Sequence, residues 1–149
     1  MKKILFKLIR ILGLPVFFRE FIQNNKITIL LFHDINPKTA KKTFKYLSKK
    51  YNFINLNDFI DALKNKDTTK IPEKALIVTF DDGHIGNYDI FPVIKEYKVP
   101  VTIFLCAKII NTNRYFWFKY KKNLLSSKKL KKMSNQNRLE ILEKYNFKQ

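Results

Sequence analysis

The chain has 149 residues, 46% of them hydrophobic and 15% aromatic, and a formal net charge of +18 from 30 basic and 12 acidic side chains. That length holds one domain with a real core, and the apolar fraction excludes a disordered chain. Only 3 glycines and a single cysteine exclude glycine-rich repeats and any intramolecular disulfide.

The charge is concentrated at the ends. Residues 1–23 carry five basic groups and one acid, residues 24–118 fifteen and nine, and residues 119–149 ten and two. Such ends suit anionic lipid or nucleic acid, and a solvated lysine-rich surface equally well. The sequence carries no zinc-finger spacing, RNA-binding aromatic motif or clear helix-turn-helix, which argues against nucleic acid.

Residues 1–23 open with Met1-Lys2-Lys3 and an apolar-rich stretch. Lys7 and Arg10 interrupt it and no small-residue cleavage site follows, so a cleavable signal peptide is not expected, and the stretch is too charged to span a bilayer. On a helix, Ile4, Leu5, Leu8, Ile11 and Leu12 share one face, with Lys3, Lys7 and Arg10 largely opposite, until Gly13 and Pro15 break the pattern. A basic amphipathic helix of this kind lies on a membrane surface or packs on its own domain. The expected location is the cytoplasm or the periphery of a membrane.

Lys26–Phe32 is a β-branched and aliphatic run, expected to be the first strand, and it ends in His33-Asp34 before an Asn36-Pro37 turn. Thr39–Lys50 has Ala40, Phe44 and Leu47 on one side of a helix. Tyr51–Ile54 forms a short second strand. Asn57 is the expected N-cap of a helix over Asp58–Lys64 that buries Phe59, Ile60 and Leu63. A polar connector with Pro72 leads to a third strand, Ala75–Phe80. Asn87–Lys98 is expected to be a helix with Ile90, Phe91, Ile94 and Tyr97 inward, its start set by Pro92. Val101–Leu105 is a fourth strand, with Cys106 expected to be a small core residue. Alternating strands and helices predict an α/β protein of about four parallel strands with all strand C-termini on one rim. Beyond Cys106 follow an aromatic cluster, Tyr115-Phe116-Trp117-Phe118, a lysine-rich stretch over Lys119–Lys132, and a short helix over Asn135–Tyr145.

The chemistry gathers where the third strand ends. Leu76–Phe80 is an apolar run that delivers Asp81 and Asp82 to the rim, and Gly83 allows a turn that swings both acids into one mouth. Adjacent carboxylates repel unless one binds a cation or holds a proton, so a metal ligand beside a general base is a sensible division of roles. The chain's 2 histidines, His33 and His84, fall on the same rim if the sheet is parallel.

Thr79-Phe80-Asp81-Asp82-Gly83, then Asn87-Tyr88 and Pro92 through Phe104, resemble the first signature of the polysaccharide deacetylase family (NodB homology, carbohydrate esterase type). Leu31-Phe32-His33-Asp34-Ile35 is similar to that family's first strand. The resemblance covers roughly residues 26–118, giving a domain reading of 1–23 as the amphipathic helix, 24–118 as a partial deacetylase domain and 119–149 as a lysine-rich segment. It implies the N-terminal portion of a distorted (β/α) barrel and hydrolysis of N- or O-acetyl groups on a polysaccharide or oligosaccharide. By position it implies Asp81 as general base, Asp82 as ligand to a divalent metal, zinc foremost, and His33 and His84 as pocket residues.

The family completes its metal site with a later H-x-x-x-H-like histidine pair, and past Asp82 this sequence has only His84. The expectation is a deacetylase that is either truncated or split with a separately encoded second half, and inactive or nearly so alone. The alternatives are a non-catalytic basic module binding anionic membrane or nucleic acid, and a remnant without function.

Overall fold

The computed structural model describes residues 2–107, 109–112, 116 and 127–144. The chain forms two compact units, Met1–Leu105 and Cys106–Gln149.

The first unit opens with α1 (Lys2–Ile11), α2 (Leu14–Phe17) and a π-helical turn over Phe18–Ile22. Gly13 separates α1 from α2 at φ +68°, a left-handed conformation that a glycine adopts without Cβ strain. Pro15 sits in the first turn of α2, where its missing N–H leaves no gap. There follow β1 (Thr28–Phe32), α3 (Pro37–Leu47), β2 (Asn52–Phe53), α4 (Leu56–Asn65), β3 (Ala75–Phe80), α5 (Gly86–Asp89), α6 (Phe91–Glu96) and β4 (Val101–Ile103).

All strand pairings are parallel, as expected of the α/β class, and β3 is the strand to which the others attach. Along one edge β1 runs in register from Thr28 opposite Leu76 to Phe32 opposite Phe80. The other edge is shared: β2 pairs with Ala75 and Leu76, and β4 with Val78 through Phe80. The backbone shows why. The carbonyls of Lys74, Leu76 and Phe80 accept from Asn52, Ile54 and Phe104, whereas the Asp81 N–H donates the other way, to the Phe32 carbonyl at 2.9 Å.

Residues in register share a face. Leu30, Phe32, Leu76, Val78, Phe80 and Val101 meet Ala40 and Phe44 of α3 and Ile90, Val93 and Ile94 of α6 in the main core. Phe32 stacks on Phe80 with centroids 5.4 Å apart, and Phe44 meets Phe32 edge-on at 6.4 Å. On the opposite face Ala75 and Ile77 are closed over by Ile54, with Ile27, Leu56, Phe59 and Ile71 packed alongside. Farther along that face, Ile29 and Leu31 remain 53% and 50% exposed.

Several boundaries differ from the sequence expectation for local reasons. The N-cap of α4 is Asn55, not Asn57, because Asp58 then stands where its carboxylate accepts from the Asn55 N–H at 3.3 Å. In α4 it is Ala62 that is buried; Phe59 and Ile60 are half-buried and Leu63 is exposed. The helix expected over Asn87–Lys98 is two helices parted at Ile90. Pro92 has no N–H to offer the Tyr88 carbonyl and its ring crowds that turn. The inward set is then Ile90, Val93, Ile94 and Tyr97, at helical spacing, while Phe91 is exposed with the Lys95 ammonium 4.9 Å from its ring centre. β4 stops at Ile103 instead of Leu105, and Cys106 is half-buried rather than a core residue.

In the second unit, α7 (Ser127–Lys132) and α8 (Asn135–Glu143) bury Leu130 and Leu142. Ser134 caps α8 by accepting from Asn137 N at 3.2 Å, and Arg138 donates to the Leu130 and Met133 carbonyls at 3.0 Å. Of the aromatic cluster, only Phe116 is among the described residues and it is half-buried; Tyr115, Trp117 and Phe118 lie outside them.

Candidate active site

The two acids leave the sheet at its most buried strand. All six residues of β3 are buried, and the chain emerges through Asp81, whose N–H extends the ladder to β1 by one step. Asp82 and Gly83 then take left-handed backbone conformations in succession, at φ +70° and +69°. Aspartate tolerates that region better than most side chains, and glycine suits it without strain. A Cβ on Gly83 would come within 2.4 Å of Leu105 Cδ2, so the turn is closed from above as well as twisted.

This turn returns the chain inward, and His84 is buried behind it. Its Nε2 lies 3.6 Å from Asp82 Oδ2, too long for a direct hydrogen bond but close enough for an ion pair if the ring is protonated. Parallel register brings the end of β1 to the same rim, since Phe32 stands opposite Phe80. His33 there is exposed.

Two residues without an expected role join these loops. Asn87, at the start of α5, is buried and donates through Nδ2 to the His33 carbonyl at 3.0 Å. Asp34 covers Gly86 so closely that a Cβ there would meet its Oδ1 at 2.1 Å. The available signal was a glycine beside an asparagine just past the acid pair, a small residue and an amide where the chain must pass close to another loop. Two buried oxygens, Thr79 Oγ1 and Asn87 Oδ1, have no hydrogen-bond partner among the described residues, which is the usual mark of a place for water or a polar ligand.

A divalent metal is the cofactor expected here. Asp82 and His84 are an oxygen and a nitrogen donor, both types that zinc accepts, and ligands on a tetrahedral zinc stand roughly 3.3 Å apart. Their 3.6 Å separation fits two corners of such a site. Among the described residues, however, no three His, Cys, Asp or Glu side chains come together, so these residues alone do not fit a catalytic zinc, which takes three protein ligands.

The sequence matches the polysaccharide deacetylase family model over residues 68–148, which runs from the connector before β3 into the second unit. It is 33% identical over 93 residues to the polysaccharide deacetylase-type protein YxkH of Bacillus subtilis (strain 168), covering 57% of this chain and 33% of that one. It is 37% identical over 82 residues to the poly-beta-1,6-N-acetyl-D-glucosamine N-deacetylase of Staphylococcus epidermidis, covering 54% of this chain and 26% of that one. Among solved structures, a de-N-acetylase from Aggregatibacter actinomycetemcomitans matches 52% of this chain and 36% of its own, at 25% identity and a TM-score of 0.46. The chain thus spans a third or less of the length of these curated relatives. With the family match extending over more than half of its residues, this chain belongs to the polysaccharide deacetylase family.

Proposed function

We propose that the chain supplies the carboxylate rim of a metal-dependent carbohydrate deacetylase that removes acetyl groups from an acetylated aminosugar polymer. The observation that carries this reading is the emergence of Asp81 and Asp82 from a wholly buried strand into a left-handed turn with His84 behind it. Asp81 is the general base: it takes a proton from a water that adds to the acetyl carbonyl, and the products are acetate and a free amine or hydroxyl on the sugar. Asp82 is one ligand of a divalent cation, with zinc the ion that the family resemblance implies. The donors that Asp82 and His84 do not supply come from polypeptide beyond these residues, either continuous with this chain or separately encoded. The half-exposed Ile29 and Leu31 support that part, because they are apolar side chains beside β3 that further barrel elements would cover. His33, exposed at the end of β1, flanks the substrate mouth, and His84 stands buried behind it beside Asp82.

The test is acetate release from N-acetylglucosamine oligomers with added zinc or cobalt, by the chain alone and by the chain co-expressed with a polypeptide carrying the rest of a family barrel. The expected result is none from the chain alone, turnover from the pair, and a 10²–10⁴-fold fall in that turnover on Asp81→Asn, the usual range for loss of a general base. Strong turnover by the chain alone would show its site to be complete. Turnover of the pair that is indifferent to Asp81→Asn would remove Asp81 from the chemistry.

A further inference from the structure

The N-terminal segment has an apolar surface that nothing in its own unit covers. Ile4, Leu5, Leu8, Ile11 and Leu12 are between 51% and 71% exposed, and Phe17, Phe18 and Phe21 continue the exposure beyond Gly13. At 100° per residue Ile4, Leu5, Leu8 and Ile11 of α1, with Leu12 one residue past its end, fall within an arc of about 120°, and Lys3, Lys7 and Arg10 fill the adjoining arc of roughly 60°. Phe6 lies outside the apolar arc and is exposed as well.

The charge on this segment is one-sided. Residues 1–23 carry five basic groups and one acid, Glu20. That acid is already engaged, by Arg19 Nε at 2.8 Å and by the Lys74 ammonium. The exposed surface therefore presents an apolar stripe edged by cations, complementary to a surface that is apolar beneath an anionic layer.

We propose that this segment is an interfacial anchor that lies on an anionic lipid bilayer, with Ile4, Leu5, Leu8, Ile11 and Leu12 immersed and Lys3, Lys7 and Arg10 among the headgroup phosphates. Its geometry fits lying rather than spanning. α1 has 10 residues, about 15 Å of helix against a hydrocarbon core of about 30 Å. Among the described residues no helix is long and apolar enough to cross a membrane.

The attachment sets where the rest of the unit stands. Glu20 is paired with Lys74, which immediately precedes β3, and the Lys74 N–H donates to the Asn24 carbonyl at 2.8 Å. Tyr51 donates its hydroxyl proton to Gln23 Oε1 at 3.3 Å. The anchor thus joins the sheet at the N-terminal end of β3, about 20 Å of strand away from Asp81 and Asp82, and lipid binding leaves the carboxylate rim free. This inference does not depend on the chemistry of the rim.

The experiment is co-sedimentation of the full chain with large vesicles of phosphatidylcholine alone and of phosphatidylcholine with phosphatidylglycerol, at low and at high salt. Binding is expected only to the anionic vesicles and is expected to weaken with salt. Leu8→Glu with Ile11→Glu should lower it at least tenfold, and Lys3→Gln, Lys7→Gln and Arg10→Gln together should do the same. These positions are exposed, so circular dichroism should show the fold retained. Absence of binding overturns the proposal, as does equal binding to neutral vesicles. Binding unchanged by the Leu8 and Ile11 substitutions would assign it to the lysines after residue 118 and overturn it too. Self-association in the absence of lipid that Leu8→Glu abolishes would name a second copy as the occupant instead.

Discussion

The two ends of β3 are held by different physics. At the C-terminal end, Phe80 is fully buried and stacked on Phe32, and the chain then turns through two left-handed residues into a buried histidine. At the N-terminal end, Lys74 joins a charged cluster with Glu20 that ties down a segment whose apolar residues are mostly exposed. The first end is fixed by packing and backbone conformation, which salt and pH barely touch. The second is fixed by ionic contacts on a partly solvated surface, which both conditions loosen. A rim meant to hold carboxylates in place needs the first kind of support; a segment that meets another surface tolerates the second.

The largest expected effect tests the packed end. Phe80 is fully buried, stacked on Phe32 and part of the core that α3 and α6 close. Phe80→Ala should cost about 3–5 kcal/mol in urea unfolding, as buried phenylalanine truncations do. A loss below about 1 kcal/mol would mean that the rim does not rest on this core and would erase the contrast.

Two glycines at nearly the same backbone angle sharpen it. Gly13 and Gly83 sit at φ +68° and +69°, but a Cβ on Gly13 meets nothing within 4 Å, whereas one on Gly83 lies 2.4 Å from Leu105 Cδ2. Gly13→Ala should cost only the left-handed penalty, roughly 1–2 kcal/mol. Gly83→Ala adds displacement of Leu105, and about 1–3 kcal/mol is the usual range for a strained site held by its surroundings. Thermal unfolding of the two variants side by side gives the difference directly. Equal losses would show that the turn over Asp82 is as open as the one after α1.

The sequence showed the packed end more plainly than the charged one. An apolar run ending in Asp81-Asp82-Gly83 reads as a strand feeding a turn because the period and the glycine are both local signals. The pairing of β1 directly with β3, leaving β2 and β4 to share the other edge, was not legible, since no local residue records which strand lies beside which. Asn87 and Asp34 were likewise invisible as partners of the rim, because each acts on a loop more than fifty residues away. The Pro92 break was legible in principle, but it rotated the buried face of α6 by enough to exchange Phe91 for Val93. The charged cluster of Arg19, Glu20 and Lys74 left no pattern at all: three ionisable residues in a basic chain look the same whether they pair or not.

The smallest expected effect tests the charged end. The hydrogen bond from Lys74, and after it the one from Arg19, holds the Glu20 carboxyl below its ordinary value of 4.5. A carboxylate with a depressed value in the folded chain binds its proton less readily there than when unfolded. Its contribution is therefore fully present above pH 4.5, and it is lost as the pH falls through the lower, folded value. Hydrogen exchange reads this locally, because the Lys74 N–H that donates to Asn24 lies beside the cluster, and the Asp81 N–H that donates to Phe32 lies at the far end of the same strand. On acidification below that range, protection of the Lys74 amide should fall by a few-fold while protection of the Asp81 amide holds. Glu20→Gln should set the Lys74 amide at its low-pH level throughout and remove its pH step. If the two amides instead lose protection together, the ends of β3 open as one cooperative unit, and the ionic contact is then not what holds the N-terminal segment to the sheet.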